Sequence, residues 1–380
     1  MNATTVISRR DEMGTSSETK SFARGTGAGI RLADLRAFAG AVALAVFGLM
    51  SSASAADFTW QNVGSFGNAP NPTTGLGRVT YDYKISAYET TIAQYADFLN
   101  NSYAGKNGLY GVYNTNIGST ASLNPPNGVG ITQSGSAGSY TYTVVSGFAD
   151  KPVNNINWFS AARFVNWYAN GKSGAASATE TGSYTIPAGR ATGDVVARNA
   201  GAQIFLPSAN EWTKAAFYDP TSQSYKTWPT NSNTRPTPTV PTGNETITAE
   251  NSANFRAVGA TGKITNVGTY VNTTSTYGLF DMAGNANEMT DTAQTGDASK
   301  FQTLGGSWAS TASTMDSFYS SNNVGEFKIA DSATAAIGFR VAAVAVPEPG
   351  NMVAAAMGIA GLVGVQLAKR RKLALAKAAG

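Results

Sequence analysis

Residues Tyr277–Asp291 read YGLFDMAGNANEMTD, and the order of residue types in this stretch decides the fold. Tyr277, Leu279, Phe280 and Met282 form an aromatic and aliphatic lead. A polar bend, Gly284-Asn285-Ala286-Asn287-Glu288, follows directly. Glycine enters backbone conformations closed to other residues. Asn285 and Glu288 at such a bend supply either oxygen ligands for a hard cation or acceptors for nearby amides. Two shorter pieces stand behind it, Gly305-Gly306-Ser307-Trp308 and Gly338-Phe339-Arg340-Val341. Arg340 reads as a buried structural cation, paired with Asp281 or Glu288, and not as a catalytic group.

Working outward, three helices carry their own start signals. In ETTIAQYADFLNN, residues Ile92, Tyr95, Ala96 and Leu99 fall at i, i+3, i+4 and i+7. With Thr90 or Thr91 as cap, the pattern predicts a helix from about Thr91 to Asn100. In NNINWFSAARFVNWYANG, Asn157 caps a second helix that buries Trp158, Ala161, Ala162, Val165 and Tyr168, and Gly171 stops it. Ser208-Ala209-Asn210-Glu211 has the spacing of a capping box, so Glu211 reads as a helix cap before it reads as an acid. Val79, Tyr81, Tyr83 and Ile85 alternate as one strand face, and Tyr140–Val145 suits a hairpin. Long Gly-, Asn-, Ser- and Thr-rich stretches separate these elements. The prediction is an irregular, loop-rich α+β fold with few short helices and small antiparallel sheets.

Composition narrows the chemistry. The chain has 380 residues, 42% hydrophobic and only 13% charged, with no Cys and no His. A core is affordable, yet no disulfide can staple it. Thiolate nucleophiles, Ser-His pairs, imidazole metal sites and His proton shuttles are all excluded. The formal net charge is +4, but the basic excess sits at the two ends, and the body between Ala56 and Val346 holds 16 basic and 18 acidic side chains. Nothing there reads as a nucleic-acid footprint.

The ends carry address signals. Arg24, Arg31 and Arg36 lead into the apolar run Ala37–Met50, followed by Ala53-Ser54-Ala55. This is the pattern of a secretory signal peptide over residues 1–55, cleaved after Ala55. At the other end come Pro347-Glu348-Pro349, an apolar stretch Met352–Leu367 long enough for a membrane helix, and Lys369-Arg370-Arg371-Lys372. This order over residues 347–372, with a short cytoplasmic tail at 373–380, resembles the PEP-CTERM sorting signal of Gram-negative bacteria. The resemblance implies processing at Pro347-Glu348-Pro349 by a membrane exosortase, a transient membrane helix, and release to the cell surface or biofilm matrix.

The body, 56–346, resembles the formylglycine-generating, sulfatase-modifying enzyme family, whose domain is a variant of the C-type-lectin fold. The matching pieces are Tyr88-Glu89-Thr90-Thr91 with Gln94-Tyr95, Pro152-Val153 with Asn157-Trp158, Leu206-Pro207-Ser208 with Glu211-Trp212, Ser252-Ala253-Asn254-Phe255, the central stretch, and both glycine-rich pieces behind it. The resemblance implies structural calcium, one ion held partly by Asn254 and a second by the turn through Asn285 and Glu288. No acidic residue lies between Arg256 and Thr265 to complete the first site, and Asn287 and Met289 replace the tryptophans that usually flank the Glu. It also implies that active relatives carry two copper-binding cysteines where this chain has Ser310 and Met315. A hydroxyl and a thioether do not replace two soft thiolates, and no copper or iron is expected.

Two classes of function follow. The first is an exported, surface- or matrix-associated module without catalysis, binding exopolysaccharide or acting structurally. Trp308, Trp212 and Tyr319 are then candidate stacking faces for sugar rings, with Ser310 and Asn322 as polar partners. The second is a metal-dependent oxidase of the same family with altered ligands.

Overall fold

A computed structural model describes residues 58–118, 130–239, 241, 245–255, 263–316, 326–330, 333–334 and 336–345. The predicted signal peptide with Ala55, the predicted sorting signal with Pro347, Glu348 and Pro349, and the candidate residues Tyr319 and Asn322 lie outside these residues. Among the described residues, no helix is long and apolar enough to cross a membrane.

The helices are α1 (Ile92–Asn101), α2 (Tyr103–Asn107), α3 (Trp158–Ala169) and α4 (Ala209–Phe217). The strands of the two larger sheets are β1 (Trp60–Val63), β2 (Tyr83–Ser86), β3 (Ile204–Phe205), β4 (Asn287–Gln294), β5 (Asp297–Leu304), β6 (Glu326–Ile329), β7 (Ile337–Phe339) and β8 (Ala342–Val344). One sheet runs β1-β2-β8-β3, all neighbours antiparallel. The other runs β6-β5-β4-β7, with β7 parallel to β4. Three two-stranded ribbons complete the described β structure. The architecture is mixed α+β with few short helices and small sheets.

The cap signals work as chemistry demands. Thr91 caps α1 in a full capping box with Gln94, whose side-chain oxygen accepts the Thr91 N–H at 2.9 Å. Asn157 caps α3 by accepting from Ser160 N at 2.8 Å, and Gly171, at φ 67°, follows its end. Ser208 and Glu211 form the box at the start of α4.

α3 departs from the amphipathic expectation. Every residue from Trp158 to Tyr168 is buried, so the helix is a central post and not a surface helix. Phe164 packs against Phe58, Tyr95, Phe98, Trp167 and Phe339, which brings β7, α1 and the amino-terminal segment onto one aromatic core. Two polar side chains of α3 pair internally: Arg163 grips Glu180 with two N–H groups at 2.7 Å, and Asn166 donates to Thr179 O and Tyr184 O, while Arg163 Nη1 and Trp167 Nε1 are buried without a hydrogen-bond partner.

One local prediction needs correction. Val79, Tyr83 and Ile85 are buried, but Tyr81 is 45% exposed, because the chain bends over 80–82 before β2 begins at Tyr83. The bend breaks the two-residue alternation and turns the Tyr81 hydroxyl toward Glu211 Oε1 at 2.6 Å. The hairpin around Tyr140 is real, with Ile131–Ser134 as its partner strand.

The path from β7 to β8 matters most for the site. The chain leaves one sheet at Phe339, passes Arg340 and Val341, and enters the other at Ala342. Arg340 therefore sits at the seam between the sheets.

Candidate functional site

The central turn is held by backbone before side chains act. Gly284, at φ 87°, donates its N–H to Gly305 O at 2.9 Å. A Cβ there would lie 2.1 Å from Asn254 O, so only glycine allows this approach. Asn285, also left-handed at φ 60°, donates its N–H to Asn254 O at 2.9 Å and accepts from Trp308 N at 2.9 Å. Asparagine tolerates this conformation better than most residues. The turn thereby ties the Ser252–Phe255 segment to the Gly305–Trp308 loop.

The side chains then close a buried network. Asn285 Oδ1 accepts from Thr265 N at 2.9 Å, Thr265 Oγ1 at 3.0 Å and Asn254 Nδ2 at 3.1 Å. Its Nδ2 donates to Glu89 Oε2 at 2.8 Å, while Glu89 Oε1 accepts from Ala286 N at 2.9 Å. Glu288, on β4, accepts from Arg340 Nε at 2.5 Å, Arg340 Nη2 at 2.6 Å and Trp212 Nε1 at 2.7 Å. Arg340 also donates to Ser86 O and Phe280 O at 2.9 Å and to Ala87 O at 3.3 Å. Of the two predicted partners of Arg340, Glu288 forms the ion pair, and both residues have fully buried side chains. Asp281 instead accepts from Gly268 N at 2.6 Å. Burial pushes its carboxyl up to about 6, and burial together with Asp281 and Glu288 pushes Glu89 well above the usual carboxylate range.

This arrangement tests the fit of calcium to Asn254, Asn285 and Glu288. Calcium takes six to eight oxygens at about 2.3–2.6 Å. Both Glu288 oxygens already face a guanidinium, and Asn285 Oδ1 already receives three donors. Asn254 Oδ1 is buried without a hydrogen-bond partner, but it is one neutral oxygen, and its Nδ2 points at Lys263 O and Asn285 Oδ1. Asn254 and Asn285 share one hydrogen-bonded group and Glu288 belongs to another with Arg340 and Trp212, and this donor set does not fit a calcium ion.

The loop after the turn carries the second candidate site. Gly305 (φ 91°) and Gly306 (φ 67°) turn the chain so that residues 307–315 fold back on it. A Cβ on Gly306 would lie 2.8 Å from Met315 Cγ, 3.0 Å from Thr314 Oγ1 and 3.2 Å from Ser310 Cβ. Ser310 and Met315 thus converge on one point. Ser310 Oγ accepts from Ser307 N at 2.8 Å and lies 3.2 Å from Ser307 Oγ. Met315 is 1% exposed and packs with Trp228, Ala253, Phe255 and Ala283. Neither side chain is an ionisable soft ligand.

The candidate stacking rings are placed otherwise than expected. Trp308 is 7% exposed and packs with Ile264 and Ala286, while Trp212 is 1% exposed and donates to Glu288. A ring covered on its faces by core residues offers nothing to a sugar. The signal that misled is general: in a loop-rich domain, large aromatics are the main source of buried area.

Two features escaped the sequence reading. Glu89 lies in a stretch that resembles the family, yet only the folded chain brings its carboxylate to Asn285. Glu211 does more than cap α4: it takes Arg198 at 2.8 and 3.0 Å, and Arg198 also donates to Asp291 Oδ2 at 2.7 Å while lying over the Phe205 ring at 3.7 Å. Burial opposes the charge on Glu211, but Arg198, Tyr81 and Ser208 N hold its carboxyl below the usual range. Asp291 is pushed the other way, up to about 6, by burial and by Glu211, against the pull of Arg198. Nothing in local spacing links Arg198 to Asp291, 93 residues away.

The family model described as the sulfatase-modifying factor enzyme 1-like domain matches residues 56–345. None of the curated proteins matches the chain. Similar solved structures include Treponema denticola variable protein 1 (19% identity, covering 76% of this chain and 95% of that one, TM-score 0.46). CarF (17%, 76% and 99%, 0.48) and PvdO from Pseudomonas aeruginosa (16%, 74% and 92%, 0.37) are similar too.

Proposed function

We propose, from the premise that this chain belongs to the sulfatase-modifying factor enzyme 1-like domain family, that it is an exported module without the family's oxidase chemistry, acting at the cell surface or in the matrix as a binder of exopolysaccharide. The observation that carries the reading is the pair at Gly306. Ser310 and Met315 occupy adjacent space, but the hydroxyl is tied to Ser307 and the thioether is packed in an apolar cluster. With no Cys and no His in the chain, the thiolate pair that the resemblance requires for copper has no substitute in this pocket.

The address signals support the location, through the signal peptide ending at Ala55 and the exosortase-type signal at Pro347-Glu348-Pro349. The outer face of the 309–314 loop supports the ligand class. Ala309, Thr311 and Ser313 are exposed and Ser310 half-buried, so this face offers hydroxyls without charge. Such a face suits a neutral polyhydroxylated chain better than a charged peptide. A ligand there would meet hydroxyls and backbone in place of the buried indoles of Trp308 and Trp212.

The test pairs two measurements on the full chain. Native exopolysaccharide immobilised on beads retains the protein, and retention falls when Thr311 and Ser313 are replaced by aspartate. Oxygen uptake with a cysteine-containing peptide and copper stays at background. Absence of retention removes the binding role; copper-dependent oxygen uptake returns the protein to the oxidases.

A further inference from the structure

We infer that the Gly284–Glu288 turn is built around an internal cation, the Arg340 guanidinium, and that the fold of this chain requires no calcium there. Glu288 and Arg340 are fully buried, and two guanidinium N–H groups lie 2.5 and 2.6 Å from the two Glu288 oxygens. The indole of Trp212 adds a third donor at 2.7 Å. A divalent ion coordinated by either oxygen would sit against a fixed positive charge and displace at least one of these bonds.

The oxygens of Asn285 and Glu89 are committed as well. Asn285 Oδ1 carries three donors, Asn285 O accepts from Trp308, and Glu89 directs its two oxygens at Asn285 Nδ2 and Ala286 N. Asp281 faces Gly268 N from the other side of the seam. Asn254 Oδ1 and, in the turn itself, Asn287 Oδ1 are buried without a hydrogen-bond partner. Two neutral amide oxygens fall far short of the oxygen shell calcium requires.

Arg340 also does what a bound ion does in a loop-rich domain. It joins segments distant in sequence: the end of β2 through Ser86 and Ala87, the central stretch through Phe280, and β4 through Glu288. Unlike an ion, it cannot dissociate or be chelated. A chain without disulfides thereby keeps a cross-link that a chelator cannot remove. The inference is independent of what the 309–314 loop binds.

The experiment uses the full chain purified without added metal. Elemental analysis after dialysis against EGTA, and thermal melts in EGTA and in excess calcium, are the primary readouts. The expected result is no stoichiometric calcium and one melting temperature in both buffers. Calcium retained at one ion per chain, or a melting temperature raised by calcium, overturns the inference. Glu288→Gln gives a second reading. Its loss of melting temperature is expected to be equal in EGTA and in calcium, since the lost partner is Arg340. A loss confined to the calcium buffer would identify Glu288 as a metal ligand. The wild-type measurements decide the matter even if that variant does not fold.

Discussion

Arg340→Met is the perturbation that most directly tests the buried pair of Arg340 and Glu288. It removes the guanidinium and leaves Glu288 buried, with only Trp212 Nε1 donating to it. Breaking a buried ion pair from one side costs about 3–5 kcal/mol, because the surviving charge is left uncompensated. The carbonyls of Ser86, Ala87 and Phe280 lose their side-chain donor at the same time, placing the loss toward the upper part of that range. Whole domains are stable by about 5–15 kcal/mol, so the variant is expected to fold only marginally. At about 2–4 °C per kcal/mol for a domain of this size class, the melting temperature falls by roughly 6–20 °C. The assay is thermal and urea unfolding followed by circular dichroism. The double variant Arg340→Met with Glu288→Leu removes the bare carboxylate and is expected to regain about 1–3 kcal/mol over the single variant, since apolar replacement of a buried pair is often near neutral. The reasoning is refuted if Arg340→Met costs less than about 1 kcal/mol, or if the double variant is no more stable than the single one.

Three further outcomes follow from the same geometry. Gly284→Ala is expected to destabilise by more than the roughly 1–2 kcal/mol of a left-handed alanine, because its Cβ would also strike Asn254 O, and urea midpoints will report it. Ser310→Cys with Met315→Cys is expected to bind Cu(I) where the wild type does not, since both positions converge on Gly306; titration against a chromogenic Cu(I) chelator reads this, and equal affinity in either single variant would show that the two do not act together. Asp291 has a folded-state pKa raised to about 6, so its contribution to stability is full below its unfolded value and is lost as pH rises through about 6. Melts between about pH 4 and pH 7 should therefore show a smaller decline with rising pH in Asp291→Asn than in wild type; parallel profiles would contradict the assignment.

How much of this was legible beforehand depends on the range of the interaction. The caps at Thr91, Asn157 and Ser208 are set by residues no more than three positions away, and each forms as its spacing requires. The left-handed positions at Gly284 and Gly306 were likewise marked by residue type, since glycine alone enters them without strain. The family resemblance also rested on order and spacing, which survive in a single sequence. The one-face reading of Val79–Ile85 failed at Tyr81 because a bend interrupts the period, and a short run cannot reveal a bend.

What the chain order could not express was which groups share a buried volume. The sequence by itself excluded thiolate and imidazole chemistry, since a residue type that is absent cannot act. It placed Asn254, Asn285, Glu288 and Arg340 as polar residues near apolar runs, and left open whether an ion or a hydrogen bond would satisfy them. Only the tertiary structure brings Arg340 at the seam of two sheets onto Glu288, 52 residues away, and Glu89 onto Asn285, 196 residues away. The physical reason is that a buried charge takes whatever compensation the packing delivers, and packing is a property of the folded chain.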